Sequence, residues 1–272
     1  MSRSSSQSLF SVMAAEFKRM FLRPKALVAI ALFAAAAVAL YAASIAVMNL
    51  AVEVAADSPD LEAPPAAATG FMGFELPLTV LSLCLGIHAA SLMARDYNDG
   101  TLLASLLVVP GRGRLFAARL VPWIIVSAVV SLVVFLLCFV ISLNRISDTS
   151  IALAQLGLSI VSCVFATILG FCCGTITKKG SLSILAFLAL MILIGMALSA
   201  VTMALPENVR GIVSFISSVM PSSAFSNMVN IVQPAANDGG AALTACAASV
   251  VWGVGLPIVS FILFKKRATL GR

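Results

Sequence analysis

Six stretches of about twenty or more mostly apolar residues constrain the fold of this chain more than any other feature. They lie at residues 26–48, 73–94, 120–143, 151–176, 181–205 and 241–264. A helix needs roughly 20 apolar residues to cross the hydrocarbon core of a bilayer, and a span must satisfy its own backbone hydrogen bonds there. The sequence therefore predicts an all-α, polytopic membrane protein with six transmembrane helices.

The composition leaves little room for anything else within these residues. Hydrophobic residues make up 61% of the 272, charged residues only 10%, and the mean hydropathy is +1.10, whereas soluble domains carry about 25% charged residues. We therefore expect residues 1–272 to form a single transmembrane domain without an independent soluble domain. The six cysteines all fall within or beside apolar runs and form no Cys-x-x-Cys pair, which favours packing over metal binding.

The distribution of basic residues predicts the orientation in the membrane. With both termini in the cytoplasm, all but two of the 17 Lys and Arg residues lie on the cytoplasmic side, the exceptions being Arg145 and Arg210. This is the positive-inside pattern. The net charge of +6 is then expected to reflect topology and contact with anionic lipid headgroups, so no nucleic-acid partner is predicted.

Residues 1–25 are predicted to form a cytoplasmic tail and an interfacial helix. From Leu9 to Arg23, apolar and charged residues alternate with helical spacing, which is typical of a helix lying in the membrane interface. The expected apolar side comprises Phe10, Met13, Phe17 and Met20, and the charged residues expected on other faces are Glu16, Lys18 and Arg19.

Residues 95–119 form the most distinctive loop. Gly100 is expected to end the incoming helix, and Thr101 to cap a new helix of about nine residues by accepting backbone N–H bonds. One side of this helix would carry Leu102, Leu103, Leu106 and Leu107. Its apolar side would pack against the bundle or fit a cleft on a soluble partner, and Arg112 and Arg114 would pair with that partner or with lipid phosphates. A lipid-facing loop with snorkelling arginines is the alternative.

This loop resembles the signature of type-two ATP-binding-cassette (ABC) exporter permeases. Those proteins carry an acid-aromatic-x-x-Gly-Thr element, an apolar helix, a Pro, and basic residues that open the third span. The residues that match in order are Asp96, Tyr97, Gly100, Thr101, Leu106, Leu107, Pro110, Arg112, Arg114 and Arg119. The family more often has Glu in place of Asp96, and often Ser-Arg after the Pro.

The resemblance implies that this loop couples the chain to an ATPase. The residues to which it assigns that role are Asp96, Tyr97, Gly100, Thr101, Leu102, Leu106, Pro110, Arg112 and Arg114.

The extracellular segment at residues 206–240 carries a second resemblance. An apolar stripe in it is followed by a helix-breaking Pro, similar to the pair of short re-entrant helices that the family places before its last span. The residues that would then form an extracellular gate are Phe215, Ile216, Pro221 and Phe225. An interfacial helix with no gating role is the alternative.

The resemblance, which covers nearly the whole chain, implies the permease subunit of an exporter in a bacterial cell membrane. Its partners would be two copies of a separate ATPase, which binds the ATP and Mg, and a second permease subunit, identical or related. The chain has no Gly-x-x-x-x-Gly-Lys-Ser/Thr loop, so we expect no cofactor and no enzymatic activity of its own. The uncharged spans suit an amphipathic or hydrophobic cargo, such as an antimicrobial peptide, a drug or a lipid-like molecule.

Two other functions remain open at this point. One is a non-transporting sensor or signal-relay module that uses the same type of ATPase. The other is an ATPase-independent secondary carrier or channel, against which the scarcity of charge within the spans argues.

A few residues within the spans are further candidates. Ionisable side chains at membrane depth are functional candidates by default, which makes Glu75 and His88 possible route-lining residues. Alternatively, Glu75 reaches water at the outer end of its span and His88 is a neutral histidine satisfied by a neighbouring helix. Gly170 and Gly174 are spaced for close helix approach, more in keeping with packing inside the bundle than with a dimer seam.

Overall fold

A computed structural model describes residues 9–21, 24–57, 74–108, 111–144, 146, 148–223, 225 and 239–267. These residues are almost entirely helical, and no β-strand occurs within these ranges. The helices are α1 (Leu9–Phe21), α2 (Pro24–Asp57), α3 (Glu75–Asn98), α4 (Thr101–Val108), α5 (Arg112–Ser142), α6 (Thr149–Thr177), α7 (Gly180–Leu188), α8 (Ile194–Ala204), α9 (Glu207–Val219), α10 (Gly239–Val250) and α11 (Leu256–Arg267). A π-helical turn, Ala189–Leu193, joins α7 to α8, and another, Val251–Gly255, joins α10 to α11.

Six helical segments in the described residues are long and apolar enough to cross a membrane. They are Pro24–Val54, Glu75–Asn98, Arg112–Ser142, Thr149–Thr177, Gly180–Ala204 and Cys246–Lys266. The predicted all-α, six-span membrane fold is confirmed. A helix, α1, occupies the place where the interfacial helix was predicted and precedes the first span; its position at the membrane interface stays a prediction.

The third span begins earlier than predicted. Helix α5 starts at Arg112, whereas the apolar run suggested a start near residue 120. Hydropathy places the boundary where charges stop, but basic residues with long apolar stems are good helix formers and do not end a helix. The helix that enters the membrane therefore includes Arg112, Arg114 and Arg119.

Helices α3 and α6 form the centre of the bundle. The most apolar stretch of α6 is 61% buried and that of α3 is 50% buried, more than in any other described span. The two helices approach closely because Gly170 of α6 packs on the backbone of Gly86 in α3, and Gly174 packs on the carbonyl oxygen of Ala90. The prediction that the two glycines of α6 serve packing inside the bundle is confirmed.

Candidate functional site

The turn from α3 to α4 depends on Gly100. Helix α3 ends at Asn98, and Gly100 has a φ of +67°, a left-handed conformation that side chains with a Cβ adopt only at a cost. Its N–H donates to the carbonyl oxygen of Tyr97 at 3.3 Å. The predicted role of Gly100 in ending the helix is confirmed.

Thr101 does not act as the predicted cap. It is the first residue of α4, and the Gly100 carbonyl accepts the N–H of Ala104 at 3.2 Å. The Thr101 hydroxyl instead accepts from Nη2 of Arg19 at 3.1 Å and donates to the backbone carbonyl of Asp96 at 3.2 Å. The prediction was wrong because a guanidinium from α1 and the end of α3 lie within reach of this hydroxyl.

Asp96 lies at the centre of a network of charged groups at this end of the bundle. Its Oδ1 accepts from Nη2 of Arg19 at 2.8 Å, and its Oδ2 accepts from Nη1 of Arg119 at 3.0 Å. Arg19 Nη1 also donates to Glu16 Oε2 at 3.3 Å. We call Glu16, Arg19, Asp96 and Arg119 the ion network; it joins α1, α3 and α5 with two acids and two bases.

Arg119 is the most deeply buried member of the ion network. Its side chain is only 3% exposed. Besides Asp96, it donates from Nη2 to the hydroxyl of Ser105 in α4 at 3.1 Å. Charged hydrogen bonds of this kind are among the stronger ones in proteins, and removing one partner of a buried ion pair is costly. The short helix α4 is thereby attached to α1, α3 and α5 through charged and polar side chains.

The sequence did not predict Glu16 and Arg19 as site residues. They were expected on faces away from the apolar side of α1, but both lie half-buried against α3 and α5. The available signal was their i,i+3 spacing, which places opposite charges on the same side of a helix. Their partner Asp96 is 77 residues from Arg19 along the chain, so no local pattern reveals the contact.

The other residues of the predicted coupling loop fall into two groups. Leu102 is buried in an apolar cluster with Phe116 and Phe171, so it packs against the bundle and not against a partner. On the exposed side, Arg114 faces solvent and Arg112 Nη1 donates to the carbonyl oxygen of Lys265 at 3.1 Å.

Tyr97 lies beside the turn between α6 and α7, with the ammonium of Lys178 lying 5.7 Å from its ring centre. The side chain of Leu106, and Pro110 altogether, lie outside the described residues.

The predicted gate residues are divided between surface and interior. Phe215 and Ile216 are exposed on α9, whereas Pro221 and Phe225 are buried. The end of α9 is held by Trp252, whose Nε1 donates to the carbonyl oxygen of Val219 at 2.8 Å. The four residues thus do not form one described cluster, and most of the segment in which a second re-entrant helix was predicted lies outside the described residues.

The two candidate route-lining residues lie far apart on α3. Glu75 is the first residue of the helix and is exposed. His88 is partly buried, with its ring edge-on to Phe33 of α2 and Trp123 of α5 at centroid distances of 6.3 Å and 5.6 Å. Its Nε2 is buried without a hydrogen-bond partner in the described part of the chain, so the expected satisfying group from a neighbouring helix is not seen at that atom.

Within the described residues, no group of three or more His, Cys, Asp or Glu side chains is arranged to hold a metal ion.

The features on which a functional assignment can be based are the six-span fold, the loop at residues 95–119 and the ion network behind it. No family model matches the chain, and no curated protein matches it significantly.

Proposed function

We propose that this chain is the membrane-spanning permease subunit of a bacterial ATP-driven ABC exporter. In this proposal, two copies of a separate ATPase chain bind ATP and Mg, and two permease subunits, identical or related, enclose the translocation route. Both termini lie in the cytoplasm, so the α3–α4–α5 segment faces the ATPase. The cargo is amphipathic or hydrophobic.

The observation that carries this proposal is the attachment of α4 to the bundle. Thr101 and Ser105 of α4 hydrogen-bond to Arg19 and Arg119, and both arginines bind Asp96. A force applied to α4 is therefore transmitted to three other helices through directional, charged contacts. Such a connection is what the proposed mechanism requires, in which the two ATPase copies close on each other when they bind ATP and thereby move the membrane helices.

The exposed surface next to α4 is charged, as a contact with a soluble partner requires. Arg95 and Asp99 form an exposed pair at 3.2 Å on the last turn of α3. Arg114, in the first turn of α5, and Lys179, just before α7, are also exposed. Rim charges of this type set association rates and partner choice more than affinity.

Affinity purification of the tagged protein from its native membranes, followed by mass spectrometry, tests the proposal first. We expect a stoichiometric ATPase to co-purify. Changing both Arg112 and Arg114 to Glu should reduce that recovery, while Arg210→Glu, at the opposite end by the predicted topology, should leave it unchanged. Recovery of the chain alone in repeated preparations would contradict the proposal.

The coupling step is tested at Gly100. Gly100→Val places a β-branched residue at a φ of +67°, which costs about 1–3 kcal/mol of local strain and should shift α4. We expect ATP hydrolysis to continue while export falls, with normal membrane insertion. Gly100→Asn is the matched control, because Asn tolerates this conformation and should retain coupling.

These experiments also distinguish the other functions. ATPase binding and hydrolysis without flux of any amphipathic cargo would favour a sensor or signal-relay module. Ion or solute flux in vesicles without nucleotide would favour a secondary carrier or channel.

A further inference from the structure

Both π-helical turns that the structure describes lie inside the last two spans. Ala189–Leu193 divides the fifth span into α7 and α8, and Val251–Gly255 divides the sixth into α10 and α11. A π turn holds one residue more than an α turn, because each N–H donates to the carbonyl five residues back instead of four. Such turns are among the few places where a long helix bends sharply. Following the predicted topology, we call α7 and α11 the inner halves of these spans, and α8 and α10 the outer halves.

The inner half of the fifth span is fixed to the centre of the bundle. Phe187 of α7 is fully buried, and its ring occupies the space that a side chain at Gly86 of α3 would fill. The hydroxyl of Ser183, also buried, donates to the carbonyl oxygen of Ala90 in α3 at 3.3 Å. These contacts hold α7 against one of the two central helices.

The outer half of the fifth span has no such attachment. The structure describes every residue of α8 and buries none of them, and Met203 near its end is 85% exposed. Apart from the π turn that precedes it, α9 is the only described helix against which α8 packs extensively. Helix α8 is therefore connected to the bundle mainly through the π turn and α9.

The sixth span is divided in the same way. In α11, Ser260 and Phe264 are buried, and the Phe264 ring centre lies 5.7 Å from that of Phe116 in α5. In α10, Ala248 is buried but Val250 is 63% exposed. Among the described elements, α10 packs extensively only on α9 and on its own π turn. Here too, the inner half belongs to the core and the outer half belongs with α9.

Helix α9 links the two outer halves, and its end lies at the level of the π turns. Trp252 in the second π turn donates from Nε1 to the carbonyl oxygen of Val219 at 2.8 Å. Gly195, two residues after the first π turn, lies so close to Ser222 that a Cβ there would be 2.5 Å from the Ser222 Oγ. Phe225 is buried in the main apolar cluster, against which Trp252 packs. The segment that follows α9 is therefore held at the two bending points, where a bend displaces it least.

We propose that α8, α9 and α10 move together as one outer lid, which pivots on the two π turns while α7 and α11 stay fixed to the core. The 11 residues of α8 span about 16 Å. A change in bend of about 20°, the size of a sharp kink, moves the outer end of α8 by about 5–6 Å. The movement removes no buried side chain of α8 from the core, because α8 has none. This inference concerns the movement alone and does not rest on the proposed export function.

Distances between nitroxide labels in lipid nanodiscs, measured by double electron–electron resonance, test the movement. A genetically encoded ketone-bearing amino acid carries each label, which leaves the six cysteines in place. A label at Leu153, near the start of α6, is paired with one at Met203 in α8 or, as the matched control, with one at Leu185 in α7. All three side chains are more than half exposed. We expect the Met203 distance distribution to be wider than the Leu185 distribution by about 5 Å. Equal widths would overturn the proposal.

A shortened variant tests whether the π turns are the pivots. Deleting Leu193 and Val254 removes one residue from each π turn, so a continuous α-helix can form with both halves facing as before. The Met203 distribution should then narrow to the width of the Leu185 distribution. The control is Leu193→Ala with Val254→Ala, which keeps the residue count at two side chains that are 52% and 53% exposed; it should behave like the wild type. Equally wide Met203 distributions in the two variants would place the pivot elsewhere and overturn the proposal. If the shortened variant does not insert, the comparison within the wild type decides.

A third label pair tests whether the lid moves as one unit. Labels at Ile212 in α9 and Val250 in α10, side chains that are 64% and 63% exposed, should give one narrow distance in the wild type although the Met203 distribution is wide. Trp252→Phe removes the indole N–H but keeps an aromatic ring, and it should widen the Ile212–Val250 distribution. A wide Ile212–Val250 distribution in the wild type would contradict a single lid.

Discussion

Replacing Gly170 by Ala should destabilise the whole bundle, because it separates the two central helices. The new Cβ would lie 2.7 Å from the carbonyl carbon of Gly86 and 2.8 Å from its Cα, and would overlap its carbonyl oxygen. These are backbone atoms, so no side-chain rotation relieves the contact. The carbonyl oxygen is the nearest of these atoms, and to bring it to even a tight contact distance of 3.0 Å, α6 must move away from α3 by about 1 Å.

The cost of that separation follows from the packing around it. Leu81 and Leu85 of α3 and Leu169 of α6 are fully buried in the core. A gap of about 0.5–1 Å loses a quarter to a half of each contact's roughly 0.1–0.2 kcal/mol, and a buried leucine makes some 40–60 contacts. Losing a third of the contact energy of one leucine already costs about 2–3 kcal/mol, which is within the usual range for overpacking.

The measurement is the free energy of unfolding in mixed micelles titrated with SDS, followed by tryptophan fluorescence. Gly157→Ala is the control on the same helix, since nothing lies within 4 Å of its Cβ position. Alanine favours helix over glycine by about 1 kcal/mol, so that variant should be unchanged or more stable. If Gly170→Ala is as stable as Gly157→Ala, the close backbone approach of α3 and α6 is wrong.

The remaining predictions concern two carboxylates. Asp96→Asn should lower the free energy of unfolding by about 3 kcal/mol because it removes the carboxylate that binds both Arg19 and the buried Arg119. Asp99→Asn, in an exposed pair, should change it by less than about 1 kcal/mol; equal effects in SDS titration would refute the role of the ion network. Hydrogen bonds from the Ser150 hydroxyl and from backbone N–H groups lower the pKa of Asp148, the N-cap of α6. The stabilisation by the Asp148 carboxylate is therefore present above the unfolded pKa of about 3.9 and is lost as pH falls through the lower folded pKa. The free energy of unfolding of the wild type, relative to that of Asp148→Asn, should therefore fall between pH 5 and pH 2. Unfolding of both proteins measured across this range tests the prediction.

The number, type and order of the spans were predictable because each depends on its own residues. Apolar length decides whether a segment crosses a bilayer, and Gly100 marks the end of α3 whatever surrounds it. The short helix α4 was likewise predictable from a Gly and a Pro on either side of an apolar run. It has eight residues where about nine were expected.

The ion network was not predictable, because its members depend on one another across the chain. Hydropathy treats Arg119 as the boundary of a span, yet the structure buries it with Asp96, 23 residues earlier, and with Glu16 in α1. The role of Thr101 was wrong for the same reason: a cap is inferred from neighbours in sequence, and Arg19 is 82 residues away. The packing of Gly170 was easier to predict, since small residues four apart indicate close approach on any helix.

The distance of these contacts along the chain has a consequence for biogenesis. Glu16 and Arg19 leave the ribosome first, Asp96 follows after the first span, and Arg119 only as the third span begins. Until then, α1 carries charges that resist burial and keep it at the membrane surface. Helix α6, which closes the centre against α3, is synthesised later still. The first half of the chain is therefore incompletely packed in the membrane until α6 has been synthesised. A pause or truncation before Thr177 leaves α3 without its main packing partner and accessible to quality-control proteases.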